Sequence, residues 1–589
     1  MDTHAQTTGT LADVLRHGSS QFHLQLRQVL SSPDYVVTDR MSQQQRRENA
    51  YNHLKYLVQE TGSTRDVATD LPKLFAVFDW SAVLATDLIP LISGHYNLAS
   101  GSLATLTDSG SAAPYLEDLD DASAIGVMLL TEFGCGSNIQ FMQTRATYDP
   151  AAQEFVIHTP TPRARKFMPS VGIPVSRVCV VGARYIDADG VDQGVHLFAA
   201  RLRGADGTPA PGVKITQLDH QPLVIMDNSV IEFEELRVKR SAWLSNGLAT
   251  IDDQGVLTWR DDDSRKRGFA SAISQLTVGR LALSSCLNAA ARASLYIALR
   301  YASQRTVPLT PTQTPLMLDL PHVRETLLTD LAGTLARTIY GNAIKTRLAT
   351  SDLTDRDTVV SVMLAKHFIQ LHALATVTDA RLKLAAQGMF SANRVANYLG
   401  VCHAAITGEG DCYVLGSVAG RVLARHLADK PAPESGLHDP ADPGDRMGLF
   451  NARTLTIVHE AQQYLGTPDL TERLAVIPQA LELAEAYCAE EALQLLHRYA
   501  DRPEIAAVRD VFALHYLDQH VAWYLIRGLL DAAGATVVKQ ELRRAIDTLA
   551  GHLPAILGAL ELDDEVLGAP ALAEDVPNAW EARCAPVDH

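Results

Sequence analysis

Glu409 stands between two glycines in Ile406-Thr407-Gly408-Glu409-Gly410-Asp411-Cys412. Flanking glycines let the backbone turn tightly and a ligand come close, so this carboxylate can take a proton from a bound substrate. In an open loop the same side chain is simply solvated. A second constellation is Thr131-Glu132-Phe133-Gly134-Cys135-Gly136-Ser137, whose glycines can bring backbone amide donors to a ligand. It is not a phosphate loop, because no Gly-Lys-Ser/Thr follows, and it leads into a hairpin pattern where a dinucleotide fingerprint would open a helix. The Ser137 hydroxyl either faces a substrate or caps the turn. His515 and His520 fall in one expected helix but point to different faces. Without an HExxH pattern or a third ligand they make a poor metal pair, and His403 reads as a loop or core side chain. No metal is expected.

The elements that position these residues change character along the chain. Residues 1–124 form an N-terminal helical domain, with apolar residues three and four apart in LPKLFAVFDWSAVLATDLIPLI. From 125 to 245 the pattern is short and β-branched, as in EFVIHT, RVCVVGARYI and Val230–Val238, with turns such as Asp149-Pro150 and Asp189-Gly190. Residues 265–430 return to helices. The run SAISQLTVGRLALSSCLNAAARASLYIALRYASQR is apolar around much of its circumference, so it is expected to be buried between neighbours or at a subunit interface. Further helices are expected near 323–350, 356–388 and 411–429. A Pro/Asp/Gly-rich linker at 430–446 precedes a C-terminal helical domain, 447–589. The fold class is therefore mostly α with a central, barrel-like β domain.

The 589-residue chain carries a net charge of −17, which argues against wrapping nucleic acid. Its seven cysteines include no CxxC pair, which fits reduced thiols. The longest apolar stretch, from Leu276 to Tyr301, is interrupted by Arg280, Arg292 and Arg300, so no membrane insertion is expected. The start lacks a secretory layout and the end, CAPVDH, carries no peroxisomal tripeptide. The expectation from these features is a cytoplasmic protein.

Residues 130–172 resemble the acyl-CoA oxidases without a gap. The motifs are Thr131–Gly136, the hairpin Ala146–Pro150 with Gln153–Phe155 in its second arm, Thr159–Thr161, and Lys166–Ser170. The likeness continues in Gly194–Phe198, in Asp227-Asn228 and in Gly279-Arg280 with Arg300-Tyr301 and Gln304-Arg305. Gly388, Ser391, Asn393 and Arg394 precede the Glu409 loop at compatible spacing. The order of domains matches as well, and the likeness is good over residues 75–430.

The resemblance implies an FAD enzyme that desaturates an acyl thioester between its α and β carbons. Glu409 is then the catalytic base, raised toward neutrality by burial so that it can take the weakly acidic α proton. Its own backbone N–H and a flavin hydroxyl stabilise the charge that grows on the thioester oxygen. The β-hydrogen leaves as hydride to flavin N5, and O2 reoxidises the flavin to give H2O2. Thr131, Ser170 and Arg305 are the implied cofactor contacts, Arg305 reaching the flavin of a neighbouring subunit in a homodimer. Ser137 and Gly408 are the implied substrate contacts. Two alternatives stay open: an acyl-CoA dehydrogenase passing electrons to a flavoprotein, and a non-catalytic relative without flavin.

Several positions depart from the resemblance, and the chain is expected to be a bacterial-type member with altered flavin-site motifs. The family's Lys-Trp-Trp-Pro-Gly-Gly is Lys166-Phe167-Met168-Pro169-Ser170-Val171 here, and the Phe before the base is Gly408. The Cys-Gly-Gly-His-Gly-Tyr loop is Ala385–Phe390, and Arg-Arg-Gln-Phe-Gly is reduced to Gln304–Pro308. Less bulk at 167, 168 and 408 is expected either to widen the pocket or to weaken the contact with the flavin. It points to a branched, aromatic or carrier-protein-bound acyl group.

Overall fold

The computed structural model describes residues 9–35, 41–107, 112–219, 221–433, 436–465 and 469–584. The ends of the chain and two residues of the linker read at 430–446 lie outside them. The chain divides into two compact units, Gly18–Ala282 with Leu348–Val359, and Met1–His17 with Leu283–Arg347 and Val360–His589.

In the first unit, helices Ser20–Leu30, Gln43–Thr61 and Leu71–Leu84 precede a helical stretch that widens into a π-helix at Ser93–Gly101. The widened turn packs on strand β1, Ile125–Leu129. Buried His95 accepts from the Gly126 amide at 3.0 Å and meets the Thr64 hydroxyl at 3.2 Å on its other nitrogen. Burial pulls its pKa down to about 4, so the ring is neutral. Gly126 has no alternative residue, because a Cβ there would lie 2.6 Å from the Ala99 methyl.

The β domain follows as β2 (Arg145–Asp149), β3 (Glu154–His158), β4 (Lys166–Ser170), β5 (Arg177–Ile186), β6 (Asp192–Arg203), β7 (Val213–Gln217), β8 (Asn228–Phe233) and β9 (Leu236–Lys239). One sheet has the order β1-β5-β2-β3-β9 with β6 also on β5, and a second has the order β4-β8-β7. Alternating residues such as Phe155, Ile157, Val178, Val180, Phe198, Ile231 and Phe233 are fully buried in its core. The β2–β3 hairpin pairs Tyr148 with Phe155 and Asp149 with Glu154. Asp149 accepts from the Ala151 and Ala152 amides and so closes the turn.

One strand expected from the sequence proves to be two. Residues 230–238 break at Glu235, whose φ of +61° turns the chain so that β8 stays in the small sheet while β9 pairs with β3 in the large one. Nothing in a Glu-Glu pair signals that turn.

The second unit is helical. Helix Gln275–Gln304, from Leu283 on, contributes fully buried Leu287, Ala290, Ala293, Leu295, Ile297, Leu299 and Ala302. That burial follows from its apolar circumference. Its Asn288 donates to Thr338 of helix Pro321–Ala349 at 2.8 Å and its Ser284 meets Gln370 of helix Arg356–Lys383, while helix Ile477–Arg498 packs on both Cys412–His426 and Pro503–Gln519. Helix Arg356–Lys383 is apolar enough to cross a membrane, but more than half of that window is buried within the protein. It ends at Lys383, short of the expected 388, because Ala385 takes φ +49° and the chain tightens into a 3₁₀ turn. Gly420 lets helix Cys412–His426 lie directly on the Ala480 backbone, where a side chain would collide with the carbonyl.

Candidate functional site

The Thr131–Ser137 segment is held by a buried ion pair. Lys166, with no exposed surface, places its ammonium 3.0 Å from a Glu132 carboxylate that is equally buried, and donates to the Leu130 carbonyl at 3.2 Å. Glu132 also accepts from the Gln143 amide (2.7 Å), the Thr144 amide (3.0 Å) and the Thr144 hydroxyl (2.6 Å). Burial lowers the Lys166 pKa, and the Glu132 charge opposes that shift. The pair therefore staples three backbone segments together. Beside it Phe167 donates its amide to the Thr131 carbonyl at 2.9 Å, and Gly134 donates to Arg163.

This framework presents an apolar face with polar groups on it. Phe133, Phe141 and Met168 are exposed, and the Phe133 and Phe167 rings lie 4.4 Å apart. Exposed large apolar residues are a mark of ligand surfaces. Thr131 and Ser137 are exposed in the same segment, and the Ser137 hydroxyl has no hydrogen-bond partner among the described residues. Met168 takes φ +60° at a bulge in β4, a left-handed conformation that costs a non-glycine residue about 1–3 kcal/mol and is typical of ligand clamps.

Ser170 lies at the end of β4, buried, and its hydroxyl donates to the Asn228 side-chain Oδ1 at 3.2 Å. The Asn228 amide nitrogen, 2% exposed as a residue, has no partner among the described residues. A buried donor left unsatisfied is costly, so a ligand acceptor fits there. The Ser170 backbone is fixed from behind. Its carbonyl accepts from Arg177 at 2.8 Å, and Asp227 accepts from the Tyr51 hydroxyl (2.7 Å) and the Ile173 amide (2.8 Å). An apolar ring face, free hydroxyls and an orphaned amide suit a planar heteroaromatic cofactor such as a flavin.

Glu409 belongs to the second unit. It is half-buried, with φ +55°, followed by Gly410 at φ +104°. The fully buried Lys366 of helix Arg356–Lys383 donates to the carbonyls of both Gly408 and Gly410, the latter at 2.7 Å. The turn closes through Gly408 N–H to the Ala405 carbonyl (3.1 Å) and Cys412 N–H to the Ile406 carbonyl (3.0 Å). Asp411 caps the next helix by accepting from the Tyr413 and Val414 amides. At Gly408 a Cβ would meet nothing nearer than 3.5 Å, so the position is roomy. In the same unit Arg305 is exposed just past helix Gln275–Gln304, its guanidinium 5.5 Å from the Tyr301 ring centre. Thr131, Ser137 and Ser170 thus share the β domain, and Gly408, Glu409 and Arg305 the helical unit. Lys166, Glu132, Asn228 and Lys366 were not singled out for roles from the sequence.

Asn393, fully buried, donates to Gln387 and accepts from the Ala571 amide at 2.9 Å. The 385–394 loop is thereby tied to the chain's end. His403 is exposed, and His515 faces a polar cavity of about 540 Å³ lined also by Asp330, Arg337, His372, Asp379 and Glu485. Among the described residues no cluster could hold a metal ion.

Burial, with Asp379 nearby, pushes Asp330 up to about 7, against the pull of Lys383 and Arg337. The unfolded chain releases this proton near pH 4 and the folded one near 7, so stability falls as pH rises between them. Asp330→Asn should therefore stabilise the protein by about 1–3 kcal/mol at pH 8 and scarcely at pH 4. Thermal unfolding of both proteins at the two pH values checks this. Equal shifts at both would contradict it.

Residues 274–424 match the family model for the acyl-CoA oxidase C-alpha1 domain. The putative peroxisomal acyl-coenzyme A oxidase 3.2 of Arabidopsis thaliana is 25% identical over 606 residues, 94% of this chain and 87% of that protein. Peroxisomal acyl-coenzyme A oxidase 2 of the same plant is 30% identical over 390 residues, 64% of this chain and 54% of its own. Among solved structures, acyl-CoA oxidase 1 of Yarrowia lipolytica superposes with a TM-score of 0.84 at 19% identity, covering 98% of this chain and 92% of the other. Acyl-CoA oxidase-2 of Caenorhabditis elegans, bound with FAD, ascaroside-CoA and ATP, gives 0.83 at 18% identity with the same coverage. The plant relatives are named peroxisomal, which overturns the cytoplasmic placement expected from the sequence. A bacterial-type assignment finds no support in these plant, yeast and nematode proteins.

Proposed function

We propose that this chain, a relative of the acyl-CoA oxidases along nearly its whole length and built on their fold, is an FAD-dependent oxidase that desaturates an acyl-CoA between its α and β carbons and passes the electrons to O2. The reaction is the oxidation step of fatty-acid β-oxidation. The observation that carries the residue assignment is Glu409, a carboxylate held in a left-handed turn between two glycines whose carbonyls a buried lysine grips.

When bound, FAD supplies a two-electron acceptor for the β-hydrogen and delivers the electrons to O2 as H2O2. Glu409 takes the α proton, and its own N–H donates to the thioester oxygen as negative charge grows there. Thr131 and the Asn228 amide contact the flavin, with Ser170 orienting Asn228 through its hydroxyl. Arg305, exposed past the end of its helix, serves the flavin of a second copy, so the active form is a homodimer. Ser137 faces the acyl-CoA, and the room at Gly408 accepts bulk on the acyl chain. The altered motif Phe167–Val171 and the small Gly408 together favour a branched or aromatic acyl group.

The test is anaerobic titration of the purified protein with butyryl-, palmitoyl-, isobutyryl- and 3-phenylpropionyl-CoA, reading flavin bleaching. The same substrates are then turned over in air without another acceptor. Bleaching followed by peroxide in air is expected, fastest with the branched or aryl thioester. Bleaching without peroxide makes the protein a dehydrogenase, and a protein that takes up no FAD ends the reading altogether. Equal turnover of palmitoyl-CoA, with no better substrate, removes the bulky-substrate preference alone.

A further inference from the structure

Lys366 sits in the apolar run Val362-Met363-Leu364-Ala365-Lys366-His367-Phe368-Ile369, in the middle of helix Arg356–Lys383, and has no exposed surface. Burying an ammonium is costly unless its donors are used. Lys366 donates to two carbonyls, those of Gly408 and Gly410, one on each side of Glu409. Hydrogen bonds from a charged donor are stronger than those between neutral groups. They act on both sides of Glu409, a residue held in a left-handed conformation that is unfavourable for a non-glycine residue.

The neighbours of Lys366 on the helix hold the far side of the same loop. His367 meets the Cys412 carbonyl through Nδ1 at 3.2 Å, and Cys412 Sγ lies 3.4 Å from the Gln370 side-chain amide. One helix therefore fixes the loop on both flanks of the carboxylate. Glycine at 408 and 410 makes the clamp necessary: these residues hold no conformation of their own, and Gly410 has a φ that only glycine adopts easily.

We propose that Lys366 is a positioning residue for the base: its ammonium, bridging the Gly408 and Gly410 carbonyls, fixes the backbone of Glu409 so that the carboxylate stays aimed at the substrate's α carbon. The proposal rests on the reading of Glu409 as base. Lys366 touches neither substrate nor flavin in this role. A misplacement of about 1 Å at a reacting group can cost 10²-fold in rate, and release of the clamp should have that effect.

Lys366→Met, close in length but without donors, and Lys366→Gln, with a single amide donor group, are compared with wild type by anaerobic stopped-flow. The probe is the acyl-CoA that bleaches the wild-type flavin fastest in the panel above. The limiting rate of flavin reduction should fall about 10²-fold in Lys366→Met and less in Lys366→Gln. The dissociation constant for the acyl-CoA and the flavin content should stay within twofold of wild type, a separation that general loosening of the fold does not produce. Limiting rates within about twofold of wild type in both variants overturn the proposal. So does loss of flavin or of folding in both, which would make Lys366 structural only. Glu409→Gln runs in parallel: if it bleaches at the wild-type rate, the reading of the base has failed, whatever the Lys366 variants do.

Discussion

Glu409→Gln should keep its flavin and lose substrate-dependent bleaching, the rate of reduction falling by about 10²–10⁴-fold, the usual contribution of a general base. Glutamine has nearly the same shape, and the clamp on the loop grips the backbone carbonyls of Gly408 and Gly410. The turn and the room beside it therefore persist. What is lost is the capacity to take a proton, since an amide at this position has no acceptor of comparable basicity. Acyl-CoA should still bind and shift the flavin spectrum without reducing it. Stopped-flow absorbance in the flavin band, with and without oxygen, makes the measurement. Bleaching within a few-fold of wild type would move the base elsewhere.

The largest effect on stability is expected at Lys166. Lys166→Met leaves the Glu132 carboxyl group buried and short of one partner, although the amides of Gln143 and Thr144 still reach it. Breaking one side of a buried ion pair costs about 3–5 kcal/mol. In a unit of this size that lowers the melting temperature by roughly 10 °C. Flavin retention should fall with it, because the pair staples the Thr131 turn to β4. The double variant Glu132→Gln/Lys166→Met removes the stranded carboxyl group, keeps an acceptor for the Thr144 amide, and should recover most of the loss. Calorimetry and the flavin-to-protein absorbance ratio read both effects. A single variant as stable as wild type would show that the pair holds nothing.

The alternation of helical and β patterns along the chain was readable because burial imposes a period of 3.6 or 2 on the residues themselves. The breaks at Glu235 and Ala385 were not readable, since both are left-handed residues of types that carry no turn signal. In the site, Glu409 and Thr131 stood out through their glycine surroundings and the resemblance. Lys366 did not, because a single lysine on a helix normally points to water, and its partners lie 42 and 44 residues further along the chain. A signal was present all the same: Lys366 interrupts a run that is apolar on both sides, where a solvated lysine has no outlet. Asn228 carried no such mark, because its isolation appears only when the strands around it are assembled.

Tyr51 reaches Asp227 across 176 residues of chain, and Arg177 joins them behind the Ser170 carbonyl. As the chain leaves the ribosome, the helix Gln43–Thr61 that carries Tyr51 is made long before its partner. Until Asp227 emerges, the Arg177 charge lacks its counterion and the end of β4 cannot settle. Contacts of such long span form late in folding. The ordering of this strand end therefore waits for most of the β domain to be synthesised, and a flavin bound at the site proposed above would be captured only by a nearly finished domain. Interrupted synthesis before residue 227 would yield helices and hairpins without a cofactor-competent face.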